Sequence, residues 1–80
     1  MHELKTLVQF YEAVGGGEGY VVITDVTGTA VAHPPSCPSV DASNFKEKVV
    51  TNGGRNGRYY WVRSAATAHE RFGAHVCSCL

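Results

Sequence analysis

Apolar residues at Leu4, Leu7, Val8, Phe10, Tyr11 and Val14 recur at steps of three and four. That period predicts an amphipathic helix over about residues 2–14, stopped by Gly15-Gly16-Gly17. The pattern then changes to β-branched runs. Tyr20-Val21-Val22-Ile23-Thr24-Asp25-Val26 reads as a strand, Thr27-Gly28 as a break, and Thr29-Ala30-Val31-Ala32-His33 as its hairpin partner. Pro34-Pro35 ends that partner, because proline cannot donate to a ladder, and residues 34–41 form a loop that carries Cys37. Ser43 is placed to cap a short helix over about Asn44–Val50, with Phe45, Val49 and Val50 facing inward. Residues 51–57, with two Asn-Gly pairs, make a turn or loop.

Arg58-Tyr59-Tyr60-Trp61-Val62-Arg63 has the highest strand propensity in the chain. Alternation puts Tyr59, Trp61 and Arg63 on one face and Arg58, Tyr60 and Val62 on the other. Ser64–Phe72 has two readings. Its alanines favour a helix; a strand continuing to Ala66, a turn near Ala68-His69-Glu70 and a return strand over Phe72–Cys79 fit as well. The fold class that follows is α+β, a single domain over residues 1–80. An antiparallel sheet of four or five strands is expected, with the N-terminal helix packed on it.

Composition narrows the function. Eighty residues make one small domain with a modest core, and 44% hydrophobic content excludes disorder by composition. Seven Lys plus Arg against seven Asp plus Glu give zero net charge. That balance argues against nucleic acid or an anionic membrane surface as partner, and it favours self-association, so a homo-oligomer is expected. No apolar run approaches the roughly 20 residues of a membrane span, and the N-terminus lacks the order of a signal peptide. A chain read this way stays in the cytoplasm, unless a leader or anchor belongs to it.

Several motifs carry chemistry. His75, Cys77 and Cys79 alternate, so a strand would place these soft zinc ligands on one face, and Cys37, His33 or His69 could complete the set. A buried or terminal thiol is the plainer use of each cysteine, and a disulfide from Cys37 to either C-terminal cysteine is the oxidised alternative. Cys77-Ser78-Cys79-Leu80 has the outline of a prenylation box, without aliphatic middle positions. The two glycine-rich stretches lead into strands rather than helices, the wrong order for a phosphate loop. Arg55–Arg63 interleaves basic and aromatic residues as nucleic-acid strands do, but in a neutral chain with a different element order. No nucleophile setting and no paired carboxylates stand out, so no enzyme and no cofactor are expected.

The run Gly19-Tyr20-Val21-Val22-Ile23-Thr24-Asp25-Val26-Thr27-Gly28-Thr29-Ala30-Val31-Ala32-His33-Pro34 resembles the opening of a Cache domain of the single-Cache type, in shortened form. It has that family's G-Y-V strand, Asp-x-x-Gly turn and second strand ending in Ala-His-Pro. The resemblance implies a PAS-like, extracytoplasmic sensor that binds a small organic ligand and passes its occupied state to a signalling partner. It also implies an aromatic and a cationic group beside His33 within a concave sheet. Arg58 or Arg63 would offer a bidentate fork to a carboxylate, with Tyr60 and Trp61 as walls; these four and His33 are the candidate ligand-binding residues. The alternative is a structural, self-assembling subunit on the same scaffold, associating through an exposed Tyr-Trp strand or through thiols.

Overall fold

The computed structural model describes residues 2–55 and 57–77. The first helix begins later than the apolar stripe suggests. Thr6 Oγ1 accepts the Gln9 N–H at 3.2 Å, while Gln9 Oε1 accepts the N–H groups of Lys5 at 2.8 Å and Thr6 at 3.2 Å. That reciprocal capping box fixes α1 at Leu7–Gly15. His2–Leu4 instead form strand β1. Leu4 sits three residues before Leu7 and so falls in phase with the helical stripe, yet it is buried as a strand residue.

β2 (Tyr20–Asp25) and β3 (Ala30–His33) form the expected hairpin. Its turn is built on Asp25, whose Oδ1 accepts the Thr27 hydroxyl at 2.6 Å and the N–H groups of Thr27 at 2.9 Å and Thr29 at 3.1 Å. The Thr27 hydroxyl, with the turn's N–H groups, holds the Asp25 carboxyl below its ordinary value of 3.8. Because these bonds favour the charged form, they stabilise the fold above that value and fade as the pH falls through the lower folded one. Asp25→Ala is therefore expected to lower the thermal midpoint at neutral pH. The gap to wild type should close as the pH drops well below 3.8, as followed by circular dichroism melts.

The second helix starts two residues earlier than predicted. Asp41, not Ser43, is the N-cap, accepting the Asn44 N–H at 3.3 Å, and α2 is Ala42–Phe45. The chain then widens into a π-helical segment, Lys46–Thr51. The wider turn swings Val50 out to 48% exposure, which corrects its expected inward position. Phe45 is fully buried and Val49 packs on the core, as expected.

β4 (Gly57–Val62) follows, and Ser64–Phe72 resolves to a helix, α3 (Ala65–Phe72). Ser64 Oγ accepts the Thr67 N–H at 3.2 Å, and Gly73 closes the helix with φ 65°, a left-handed cap that glycine adopts without strain. β5 (His75–Val76) runs parallel to β3, with His75 opposite Val31 and Val76 opposite Ala32. The strand alternative for this segment is thus corrected: α3 crosses the sheet and delivers β5 in the same sense as β3.

The sheet order is β1-β4-β2-β3-β5, antiparallel except for the last pair. On one face Leu4, Val21 and Tyr59 meet Phe10 of α1 and Phe45 of α2. Phe45 stacks on Phe10 at 4.6 Å and meets Tyr59 edge-on at 5.1 Å. On the other face Val22, Ala30, Ala32 and Val62 pack against Ala68 of α3 and Ala74. Small side chains there let α3 lie close to the sheet. β4 is flanked by β1 and β2, so the Tyr-Trp strand is not an edge and is unavailable for edge-to-edge pairing. Among the described residues no helix is long and apolar enough to cross a membrane.

Candidate functional site

Pairing across the sheet decides which candidate residues can meet. His2 is opposite Trp61, Trp61 opposite Val21, and Val21 opposite His33. His33 and Trp61 therefore share a face but stand two strand spacings apart, roughly 9–10 Å. Arg58 and Tyr60 project from the opposite face. Tyr60 packs on Phe72 at 4.7 Å, and an Arg58 guanidinium nitrogen lies 3.9 Å from the Glu3 carboxylate, a weak, exposed pair. Arg63 is exposed just past the end of β4. Arg58 and Tyr60 thus stand across the sheet from His33 and Trp61, on the opposite face.

Trp61 instead forms the wall of a cleft of about 550 Å³ between α1 and the β1–β4 end of the sheet. His2, Gln9, Glu12 and Glu18 line it with Trp61. The indole is held in place from two sides. Its Nε1–H donates to the Glu18 carbonyl at 3.0 Å, and the His2 ring stacks on it at 5.9 Å with an interplanar angle of 29°. Gly19 makes room for it: φ is +74°, and an added Cβ would come within 2.7 Å of the Trp61 ring. The cleft carries two carboxylates and neither lysine nor arginine. Its chemistry thus favours a positive ligand group over a negative one. Glu12 and Glu18 were not among the residues singled out from sequence. For Glu12 the available signal was the i, i+3 spacing with Gln9 on α1; Glu18 follows the helix and carried none.

A second depression of about 480 Å³, against Val14, Tyr20, Pro34 and Pro35, has no charged side chain in its lining. A different group forms at the end of β3. The His33 Nδ1 lies 3.4 Å from Cys37 Sγ, and the donor atoms of His33, Cys37 and Cys77 all fall within 4.8 Å of one another. Cys37 is disulfide-bonded and buried, whereas Cys77 is a partly exposed free thiol. Burial pushes the His33 imidazole below its ordinary value of 6.5, favouring the neutral ring. His75 and His69 are exposed and outside this group, which corrects their place in the expected ligand set. Cys79 and the rest of the tail box, 78–80, lie outside the described residues.

The chain matches no protein-family model, no curated protein and no solved structure.

Proposed function

We propose that this chain is a non-catalytic sensor module, Cache-like in type, that binds a small organic cation in the cleft between α1 and the sheet. The observation that carries the reading is a Trp61 ring fixed by the Glu18 carbonyl and the His2 ring, in a cleft lined also by the acidic residues Glu12 and Glu18. An indole face attracts an ammonium group through its quadrupole, and nearby carboxylates add Coulombic attraction and hydrogen bonds. The Cache-like run in β2 and β3 supports a sensing role. An amine is proposed in place of the carboxylate considered from sequence, because no arginine among the described residues lines this cleft and Arg58 projects from the opposite face. α1 forms one wall of the cleft, so a ligand that fits one seating of α1 better than another shifts that equilibrium and hands the signal on.

Isothermal titration of the chain against amines, amino acids and simple carboxylates tests the reading. Saturable heats for amines are expected, weakened about 2- to 30-fold by Trp61→Ala, as cation–π energies of roughly 0.5–2 kcal/mol imply. Flat heats across the whole panel would overturn it.

A further inference from the structure

We propose that reduction of the disulfide at Cys37 converts the His33–Cys37–Cys77 corner into a binding site for zinc. This site is separate from the Trp61 cleft and does not depend on the reading of that cleft. Its three donors meet at one junction of the fold. His33 ends β3, Cys37 follows on the Pro34–Cys37 turn closed by the Cys37 N–H to Pro34 carbonyl bond at 2.9 Å, and Cys77 directly follows β5. The Cys77 N–H donates to the Ala32 carbonyl at 2.8 Å, extending the parallel β3–β5 ladder and locking Cys77 beside the end of β3.

The spacing fits the ion. Tetrahedral zinc, with Zn–S of about 2.3 Å and Zn–N of about 2.0–2.1 Å, separates a sulfur from a nitrogen by about 3.5 Å. The observed separation of His33 Nδ1 and Cys37 Sγ is 3.4 Å, and all three donor atoms lie within 4.8 Å. Two sulfurs and an imidazole are also the donor types that zinc selects over harder cations. His33 and Cys37 are buried, and the partial exposure of Cys77 provides the entry path.

The oxidation state gates the site. With Cys37 in its disulfide, the corner offers one thiol, one imidazole and a sulfur that is a poor ligand. A dithiol reductant supplies two electrons and two protons to that bond. The S–S bond breaks, Cys37 and its partner sulfur become thiols, and the reductant's own sulfurs join as a disulfide. Zinc then displaces the thiol protons of Cys37 and Cys77 and takes the His33 lone pair.

The test uses the full chain, either reduced with a phosphine and freed of it or left oxidised, titrated with zinc and separately with cobalt as a spectroscopic stand-in. The reduced chain is expected to take up one zinc with a Kd of about 1 µM or tighter, weaker than structural sites of four protein ligands because three donors come from the chain. Its melting temperature should rise, and cobalt should give a thiolate-to-metal charge-transfer band. The oxidised chain should bind at least about 10-fold more weakly, as should the reduced Cys77→Ala variant. Cys77 is only partly buried, so this variant is expected to keep its fold, checked by circular dichroism. His33→Asn provides the matching nitrogen test. No uptake by the reduced chain, equal uptake by the oxidised one, or uptake unchanged in Cys77→Ala would each overturn the proposal.

Discussion

Phe45→Ala is expected to remove about 3–5 kcal/mol, the usual loss on truncating a fully buried phenylalanine. Small domains have only about 5–15 kcal/mol in total, and an 80-residue chain belongs at the low end. Phe45 is completely buried, with its ring stacked on Phe10 at 4.6 Å and edge-on to Tyr59 at 5.1 Å. It therefore joins α1, α2 and the sheet at one point. α2 itself is only four residues long, too short to hold its place by its own hydrogen bonds. Urea denaturation followed by circular dichroism should show the midpoint falling by a third or more. Val50→Ala serves as the control. Val50 is 48% exposed within the π-helical segment, so it should cost no more than about 0.5 kcal/mol. Equal losses in the two variants would contradict the packing described for this segment.

Gly19→Ala is expected to cost at least about 2 kcal/mol and to disturb the cleft at the same time. At φ +74° any Cβ is strained, and here it would also strike the Val62 carbonyl and the edge of the Trp61 indole. Both neighbours belong to β4, so the strand or the indole must move. Trp61 is the single tryptophan, so its emission reports the displacement directly, alongside a lower thermal midpoint. Gly15→Ala is the matched comparison. Gly15 is the last residue of α1, and nothing lies within 4 Å of its added Cβ. That substitution should be neutral or stabilise by up to about 1 kcal/mol through the unfolded chain.

The contrast between Gly15 and Gly19 shows what the sequence could and could not disclose. Both lie in one glycine-rich stretch, and it is the positive φ of Gly19 together with its close approach to β4 that makes one of them irreplaceable. Local period was enough for the body of α1, for the β2–β3 hairpin and for the alternation along β4. It failed at β1, where Leu4 happens to fall in register with a helical stripe and the Thr6 capping box decides the boundary. It left α3 open because alanine-rich segments carry little strand or helix periodicity, and it missed the parallel sense of β5, which only a crossover can produce.

The sites follow the same division. Alternation already separated Arg58 and Tyr60 from Trp61, but the strand order that keeps His33 away from Trp61 is a non-local fact. Likewise, Cys37 and Cys77 are 40 residues apart in sequence, and it is the β3–β5 pairing that sets them beside His33. Glu12 and Glu18 read as ordinary surface acids in the sequence, and only the fold sets them along the same cleft as Trp61.

The reading of the cleft as an amine site is tested most directly by Trp61 fluorescence. Tetramethylammonium chloride and sodium acetate are titrated separately at matched ionic strength. A saturable change in emission is expected for the ammonium ion alone, greatly reduced in a Glu12→Gln, Glu18→Gln double variant that keeps its thermal midpoint. An emission that does not respond to the ammonium ion, or responds equally to acetate, would contradict the account.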